Sequence, residues 1–369
     1  MPVTIRDVAR ESETSLATVS RVLNGSMSVH PELRVRVLKA AKQLGYYPDS
    51  VGKALRSRRS SLLGCIVSDI TNPMFAAIYK AAQLAADQNG YALILANSDG
   101  LASQEERYVR LLAQRRVEGV MVSTADESGA TLGTLLEARI PVVLLDRESG
   151  PAEVDAVLVD DREGMAAATR YLVELGHERI GFLAGFLKVR SGRERRAGFV
   201  ATAAELGLSR RKCSIVDAEF RTDRARAATI EMLNQPKPPS AIISSNGRMT
   251  VGLMQAIYEL GVSIPRDLSV VGFDDSEFTR FAHPPLTVIS RPIERLGTIA
   301  IEMLLDRIAG RATPQPVLAR VETELIVRAS CGSPRRTDAR ARRQRSPVDT
   351  ASATRQHSKV ASPLREGRR

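Results

Sequence analysis

A chain of 369 residues with 43% apolar side chains can hold two or three domains with real cores, and with 4% aromatics and no Trp those cores are aliphatic. Its three cysteines, Cys65, Cys213 and Cys331, are odd in number, far apart and without metal-ligand spacing, and no leader peptide or membrane-length apolar run is present. A secreted disulfide scaffold and a membrane span are thereby excluded, and a soluble protein of a reducing cytoplasm is expected, its cysteines serving as small buried hydrophobes.

The net charge of +11 is unevenly placed: residues 1–60 carry a surplus of +6, residues 334–369 one of +8, and the middle is left at −3. Basic ends on a mildly acidic body imply a nucleic-acid partner for the ends alone.

The first stretch, Thr4 to Asn24, reads TIRDVARESETSLATVSRVLN and predicts two short helices around a tight turn. Thr4 with Asp7 forms the N-terminal signature of the first, and Ser15 caps the second. On the second helix Val19, Val22 and Leu23 face inward, whereas Leu16, Ala17, Ser20 and Arg21 face outward. A third helix over Pro31 to Leu44 completes the core with Leu33, Val37, Ala40, Ala41 and Leu44, starts at a proline and stops at Gly45. Its other face carries Arg34, Arg36, Lys39 and Lys42. Together these are a helix-turn-helix domain over residues 1–47, whose second helix is the element that enters a DNA major groove.

Residues 48–60 form a polar, basic hinge with one apolar patch, Val51, Ala54 and Leu55, too short for a stable helix on its own. The hinge is either a plain linker or a segment that folds on DNA, with Lys53 and its other cations on phosphates and Leu55 as a minor-groove wedge.

From residue 61 to 332, β-rich apolar runs alternate with amphipathic stretches. The runs are Leu62 to Val67, Tyr91 to Ala96, Gly119 to Val122, Val142 to Leu145, Ile180 to Ala184, Ala241 to Ser244 and Leu268 to Phe273. Helices are expected at Phe75 to Gln88, Gln104 to Leu112, Gly164 to Leu175, Arg195 to Leu206, Arg224 to Leu233 and Thr250 to Leu260. Such alternation predicts parallel sheets with helices on both faces, and about 270 residues predict two lobes. The strands lead into polar residues at the same end (Ser68 and Asp69, Asn97, Ser123, Asp146 and Arg147, Asn246, Asp274), which suggests a polar cleft. Any one of these alone is a loop start or a cap.

Enzyme signatures are missing: there is no Gly-x-Ser-x-Gly elbow, dinucleotide fingerprint, P-loop or His-Glu-x-x-His, and no cofactor is implied. The histidines His30, His177, His283 and His357 are scattered, and His177 reads as part of a helix cap after Gly176. Ser209 to Lys212 fits Ser-x-x-Lys but lies in a basic loop without partner motifs. From Ser333 onward the chain is Arg-, Ser- and Pro-rich and predicts a disordered basic tail, 333–369, either inert or a salt-sensitive DNA arm.

ATVSRVLN at Ala17 to Asn24, LGYYP at Leu44 to Pro48, DITNPMF at Asp69 to Phe75 and VVGFDD at Val270 to Asp275 occur in the order found in the lactose/galactose-repressor family of bacterial regulators, which the chain resembles over residues 3 to 332. The resemblance implies a small all-α headpiece on an α/β, two-lobed, periplasmic-binding-protein-like body that closes on a small effector. It implies that Leu16, Ala17 and Arg21 contact base edges, Arg21 through guanine O6 and N7, with a phosphate contact as the rival role for Arg21. Thr4, Ser15, Thr18, Ser20 and Asn24 would position the helix on the backbone, with Lys53 of the hinge on phosphates and Leu55 wedged into a central minor-groove step. Carried onto the body, the effector contacts fall on Asp69, Asn72 and Phe75 with Pro73 at the first-lobe mouth, on Ser123 and Asp146 deeper, and on Arg195, Asn246 and Asp274 in the second lobe. Phe220 offers a ring face. The implied partners are a pseudo-palindromic operator, a sugar or sugar derivative, and a second copy of the chain; the implied place is the bacterial cytoplasm, on the nucleoid when DNA-bound.

Several positions depart from the family. Ser12, Glu13 and Thr14 replace Ala-Gly-Val in the turn, His30 replaces a serine cap, and Asp49 and Gly52 alter the hinge. In the cleft Asp161 replaces Asn, Gly247 follows Asn246 where Asp is common, and Arg291 replaces Gln. The loss of one acid and the gain of Arg291 favour an anionic ligand; Asp161, and a pairing of Arg291 with Glu294, argue the other way. The reading is thus a DNA-binding regulator, most simply a repressor, whose lobe closure alters the spacing of two recognition helices. The alternatives are a solute-binding receptor for a transporter, disfavoured by the headpiece, and a small-molecule hydrolase on the same body.

Overall fold

The computed structural model describes residues 3–23, 28–46, 60–150 and 154–334. Most of the hinge, including Lys53 and Leu55, together with Asn24 and the basic tail from residue 335, lies outside them.

Three helices make the headpiece: α1 (Ile5–Glu11), α2 (Leu16–Leu23) and α3 (Pro31–Leu44). Val8, Ala9, Val19, Val22, Val37, Ala40 and Ala41 form its core, so the apolar periodicity is satisfied by three mutually packed faces. The Asp7 carboxylate accepts from the Thr4 amide at 2.9 Å and the Thr4 hydroxyl at 2.7 Å, Ser15 Oγ accepts from the Thr18 amide at 3.0 Å, and Gly45 ends α3 at φ 63°. His30 precedes α3 without a side-chain capping bond.

The turn between α1 and α2 places Glu13 at φ 46°, left-handed backbone that favours glycine. Arg36 of α3 meets it, donating to the Ser12 carbonyl at 2.7 Å and to the Glu13 carboxylate at 3.0 Å. One cation of the predicted basic face therefore holds the turn. Glu13→Gly is expected to remove about 1 kcal/mol of backbone strain while losing only an exposed ion pair of little worth. Amide exchange across residues 5–23 of the full chain should slow several-fold; unchanged or faster exchange would mean that Arg36 outweighs the strain.

Two six-stranded sheets form the body. In the first the order is β2 (Ala92–Asn97), β1 (Leu62–Val67), β3 (Gly119–Val122), β4 (Val142–Leu145), β5 (Asp155–Val159) and β11 (Leu318–Val321), all parallel. The second repeats the pattern with β7 (Cys213–Asp217), β6 (Ile180–Ala184), β8 (Ala241–Ser244), β9 (Ser269–Phe273), β10 (Thr287–Ser290) and an antiparallel edge, β12 (Glu324–Ile326). Both faces of each sheet are covered, which is why the strands read as unbroken apolar runs. In β1, Leu63, Cys65 and Val67 pack toward α4 (Pro73–Gln88) and α12 (Ile293–Ile308), while Ile66 packs toward α5 (Ala102–Gln114) and α6 (Gly133–Glu137). The second sheet lies between α7 (Asp161–Glu174) with α8 (Arg190–Glu205) and α9 (Thr222–Leu233) with α10 (Gly247–Glu259). A last short helix, α11 (Glu277–Phe281), follows β9.

The chain passes between the lobes three times: from β5 to α7 at Asp160–Asp161, from β10 to α12 at Arg291–Pro292, and from β11 to β12 at Glu322–Thr323. Helix α12 thus returns to the first lobe, where Gly297 lies so close to α4 that an added Cβ would stand 2.3 Å from the Ile78 carbonyl oxygen. Expected strands and helices are present with shifted ends, and α8 starts five residues before the predicted Arg195.

His177 serves the fold through more than a backbone cap. Its imidazole lies buried between Ser240 Oγ at 2.8 Å, Ser269 Oγ at 2.9 Å and the Gly332 carbonyl at 3.0 Å, pinning the end of the body to the second sheet. Burial pushes its pKa below 6.5, with the Gly332 carbonyl opposing. Below that value the unfolded chain binds the proton more readily, so this part of the stability is lost as pH falls through 6.5 toward the depressed pKa. Urea midpoints of wild type and His177→Gln should therefore converge on acidification; parallel curves would show that His177 does not titrate with folding.

Candidate functional site

Two surfaces have functional geometry. On the headpiece, Leu16 is 46% exposed, and Ala17 and Arg21 are exposed beside it, while Val19 and Val22 are buried beneath. An apolar side chain held in water next to a guanidinium, on the second helix of the unit, is the arrangement that reaches base edges. Ser15 and Thr18 are tied to each other at the helix start, at 2.9 Å.

In the body the strand ends of both sheets face each other. Asp146, after β4, and Asp274, after β9, occupy equivalent places in the two lobes, and both have left-handed backbone, at φ 54° and 67°. The amide of each crosses to the neighbouring strand, bonding Val157 O and Ile289 O at 2.9 Å, which turns both carboxylates into the cleft. Strained aspartates at matched strand ends are typical of binding sites.

Four buried guanidinia line the same cleft. Arg195 of α8 donates through Nε to Asp161 Oδ1 at 2.7 Å and through Nη1 to the Ser245 carbonyl at 2.6 Å, with its Cζ over the Phe273 ring, 4.1 Å from the ring centre. Arg291, on the second crossover, donates to Asp274 Oδ1 at 2.8 Å and Asp146 Oδ2 at 3.2 Å and lies against Met74 Sδ. Arg147 reaches Ser191 Oγ at 3.1 Å, and Arg190 reaches Glu148 at 2.8 Å. At the rim Arg248 pairs with Asp69, and Glu127 accepts from the Arg190 amide at 2.7 Å and from Arg193 at 2.8 Å.

The two central acids titrate in opposite directions. Burial opposes ionisation of Asp146, but Arg291, Arg195 and Arg147 together hold its pKa below the usual carboxylate value. At Asp161 burial dominates, aided by the negative Asp146, and the pKa is pushed up to about 6 against the attraction of Arg195. Arg291, between two aspartates, stays charged, its pKa raised despite burial.

Among the described residues, seven buried polar atoms of this region have no hydrogen-bond partner: Ser123 Oγ, Ser149 Oγ, Ser245 Oγ, Asp146 Oδ1, Asp161 Oδ2, Arg147 Nε and Arg195 Nη2. Buried polar groups are normally satisfied, so this concentration marks a place for a polar molecule.

The expected effector residues divide accordingly. Ser123, Asp146, Arg195, Asp274 and Arg291 come together at the cleft floor, although Arg291 pairs with Asp274 and Asp146, not with Glu294. Asn72 and Asn246 are caps, accepting from the Met74 amide at 3.2 Å and the Met249 amide at 2.7 Å. Phe75 is 5% exposed and packs in the first-lobe core. Phe220 packs edge-on to Phe186 at 6.0 Å and approaches Arg195 at 5.8 Å, at the second-lobe side. Arg190 and Arg248 were not singled out from sequence. Arg190 lies in the polar first turn of α8, ahead of any apolar period, and Arg248 gains its role only from facing Asp69 across the cleft.

Known proteins share both domains. Residues 4–49 match a family model described as bacterial regulatory proteins, lacI family, and residues 169–331 match a periplasmic binding protein-like domain. The chain is 33% identical to the HTH-type transcriptional repressor PurR of Vibrio vulnificus (strain CMCP6) over 327 residues, covering 88% of this chain and 97% of that protein. It is similar to the PurR of Yersinia enterocolitica, at 34% over 330 residues and 96% of that protein. Among solved structures, the lac repressor dimer bound to operator and the anti-inducer ONPF aligns with a TM-score of 0.79 at 28% identity, over 90% of this chain and all of that one. A transcriptional regulator CelR–cellobiose complex aligns with a TM-score of 0.67 at 31% identity, over 89% of this chain and 99% of that one.

Proposed function

Because the chain belongs to the lacI family of bacterial transcription regulators, we propose that it is a dimeric repressor that reads a pseudo-palindromic operator and is controlled by a neutral polyhydroxylated effector held between its lobes. Each headpiece presents Leu16, Ala17 and Arg21 to one half-site, and two headpieces on one dimer account for a two-fold operator. Dimeric, operator-bound and cellobiose-bound relatives support this assembly.

The observation that carries the effector class is the mixture of unsatisfied groups. Asp146 Oδ1 and Asp161 Oδ2 need donors, Arg147 Nε and Arg195 Nη2 need acceptors, and the serines take either. Sugar hydroxyls supply both. A carboxylate or phosphate supplies acceptors only and would face two aspartates, and Arg291, the added cation, is already neutralised by Asp274 and Asp146. A neutral ligand therefore fits better than an anionic one.

Site selection from a random duplex pool at fixed salt, followed by titration with neutral sugars, sugar acids and sugar phosphates, tests both halves. A two-fold consensus released or tightened by a neutral sugar is the expected result. Sequence-blind binding would overturn the operator reading, and a response to sugar anions alone would overturn the effector class.

A further inference from the structure

Arg291 joins the lobes in a way that requires no ligand. It sits on the crossover between β10 and α12, bonds Asp274 of the second lobe through Nε at 2.8 Å, and reaches Asp146 of the first through Nη1 at 3.2 Å. Met74 at the start of α4 closes its remaining side. We propose that Arg291 is a built-in interlobe bridge that holds the cleft closed without effector, so that ligand adds to a closure already present. Its consequence for regulation rests on the effector reading above, whereas the bridge itself rests on geometry alone.

The bridge, like the looser buried approach of Arg195 to Asp146 at 3.8 Å, differs in kind from the exposed ion pairs across the cleft. In the pairs Arg248 with Asp69, Arg193 with Glu127 and Arg190 with Glu148, at least one partner is 36–46% exposed. Water and salt screen such pairs. The side chains of Arg291, Asp146 and Asp274 are only 2%, 4% and 7% exposed, so their attraction acts in a low dielectric and is screened far less. Asp146 is moreover a first-lobe acid whose two largest cationic neighbours, Arg291 and Arg195, come from the crossover and the second lobe. Parting the lobes would strip it of both. The hydrogen-bonding side of Arg291 is also spent on protein, which leaves an effector to the unsatisfied groups of Ser123, Ser245, Asp146, Asp161, Arg147 and Arg195.

Hydrogen exchange on the full-length protein without added ligand tests the bridge. In Arg291→Gln, exchange should rise at least tenfold in peptides at the cleft (residues 69–75, 146–149 and 246–250) and stay within twofold in the core strands 63–67 and 269–273. Exchange within twofold of wild type at the cleft, or an equal rise in cleft and core, would overturn the bridge. Should that variant not fold, Asp146→Asn removes only the acid reached across the cleft and is judged by the same two outcomes. Failure of every sugar to bind would overturn the effector class and leave this contrast standing.

Discussion

Arg195→Ala is expected to cost about 3–5 kcal/mol of stability at neutral pH, the range for removing one partner of a buried ion pair. Asp161 is 0% exposed, its one close cation is Arg195 at 2.7 Å, and Arg190 stands 3.9 Å away. The substitution would leave a charge in the interface between the lobes and also remove the flat group packed on Phe273. The defect should depend on pH with a definite sign. Asp161 already has a pKa of about 6 with Arg195 present, and loss of that cation moves it higher. Protonation then removes the unpaired charge, so the variant should lose less at pH 5 than at pH 8. Arg195→Met combined with Asp161→Asn should recover at least half of the loss, because neither charge is left alone. Urea unfolding of the full chain at both pH values measures this. A loss below 1 kcal/mol, equal at both, would mean that Asp161 is neutral or hydrated in the folded protein.

Arg21→Ala is expected to weaken operator binding by roughly 1 to 3 kcal/mol for each half-site, and by both contributions in a dimer. Arg21 is exposed on α2 beside Leu16 and Ala17, and none of the described residues holds it back from DNA. The variant should also tolerate any base at one position per half-site. Repeating site selection with it separates two roles: relaxed preference marks a base contact, whereas an intact consensus with a smaller salt dependence marks a phosphate contact.

The layered body was legible because its strands are buried on both faces, so runs such as LLGCIV and SVVGF carry no competing polar alternation. Strands at the sheet margins were harder. β7 and β12 are partly exposed and β11 reads LARV, so their composition resembles loop as much as strand. β5 was hidden by its opening Asp155, which is buried only because Arg307 of α12 forks onto it at 2.6 and 2.7 Å. At the cleft, residue types at strand ends marked Ser123, Asp146 and Asp274, since strand order places the first two side by side in one sheet and Asp274 at the matching position of the other. Pairings between distant segments were not legible: no period or motif links Arg291 to Asp146, or Arg36 to the Glu13 turn. Asn72 and Asn246 show the converse, residues of suitable chemistry whose side-chain oxygens cap their own helices.

The threefold passage between lobes also bears on the order in which the protein can be made. Five strands of the first sheet have left the ribosome once residue 159 emerges, but α12 and β11 follow only at residues 293–321. At ~5–20 residues per second the interval is roughly 10 to 30 s. Throughout it the face of α4 that later receives Leu296, Ala300, Ile301 and Leu304 lies open. The second lobe, whose interior is nearly all contributed by residues 161–290, can mature first, so the part synthesised earlier is the part completed later. A nascent chain stalled before residue 293 should therefore be a client of holding chaperones, and a genetic dissection into separate lobes must join 60–159 to 293–321 to obtain a folding unit.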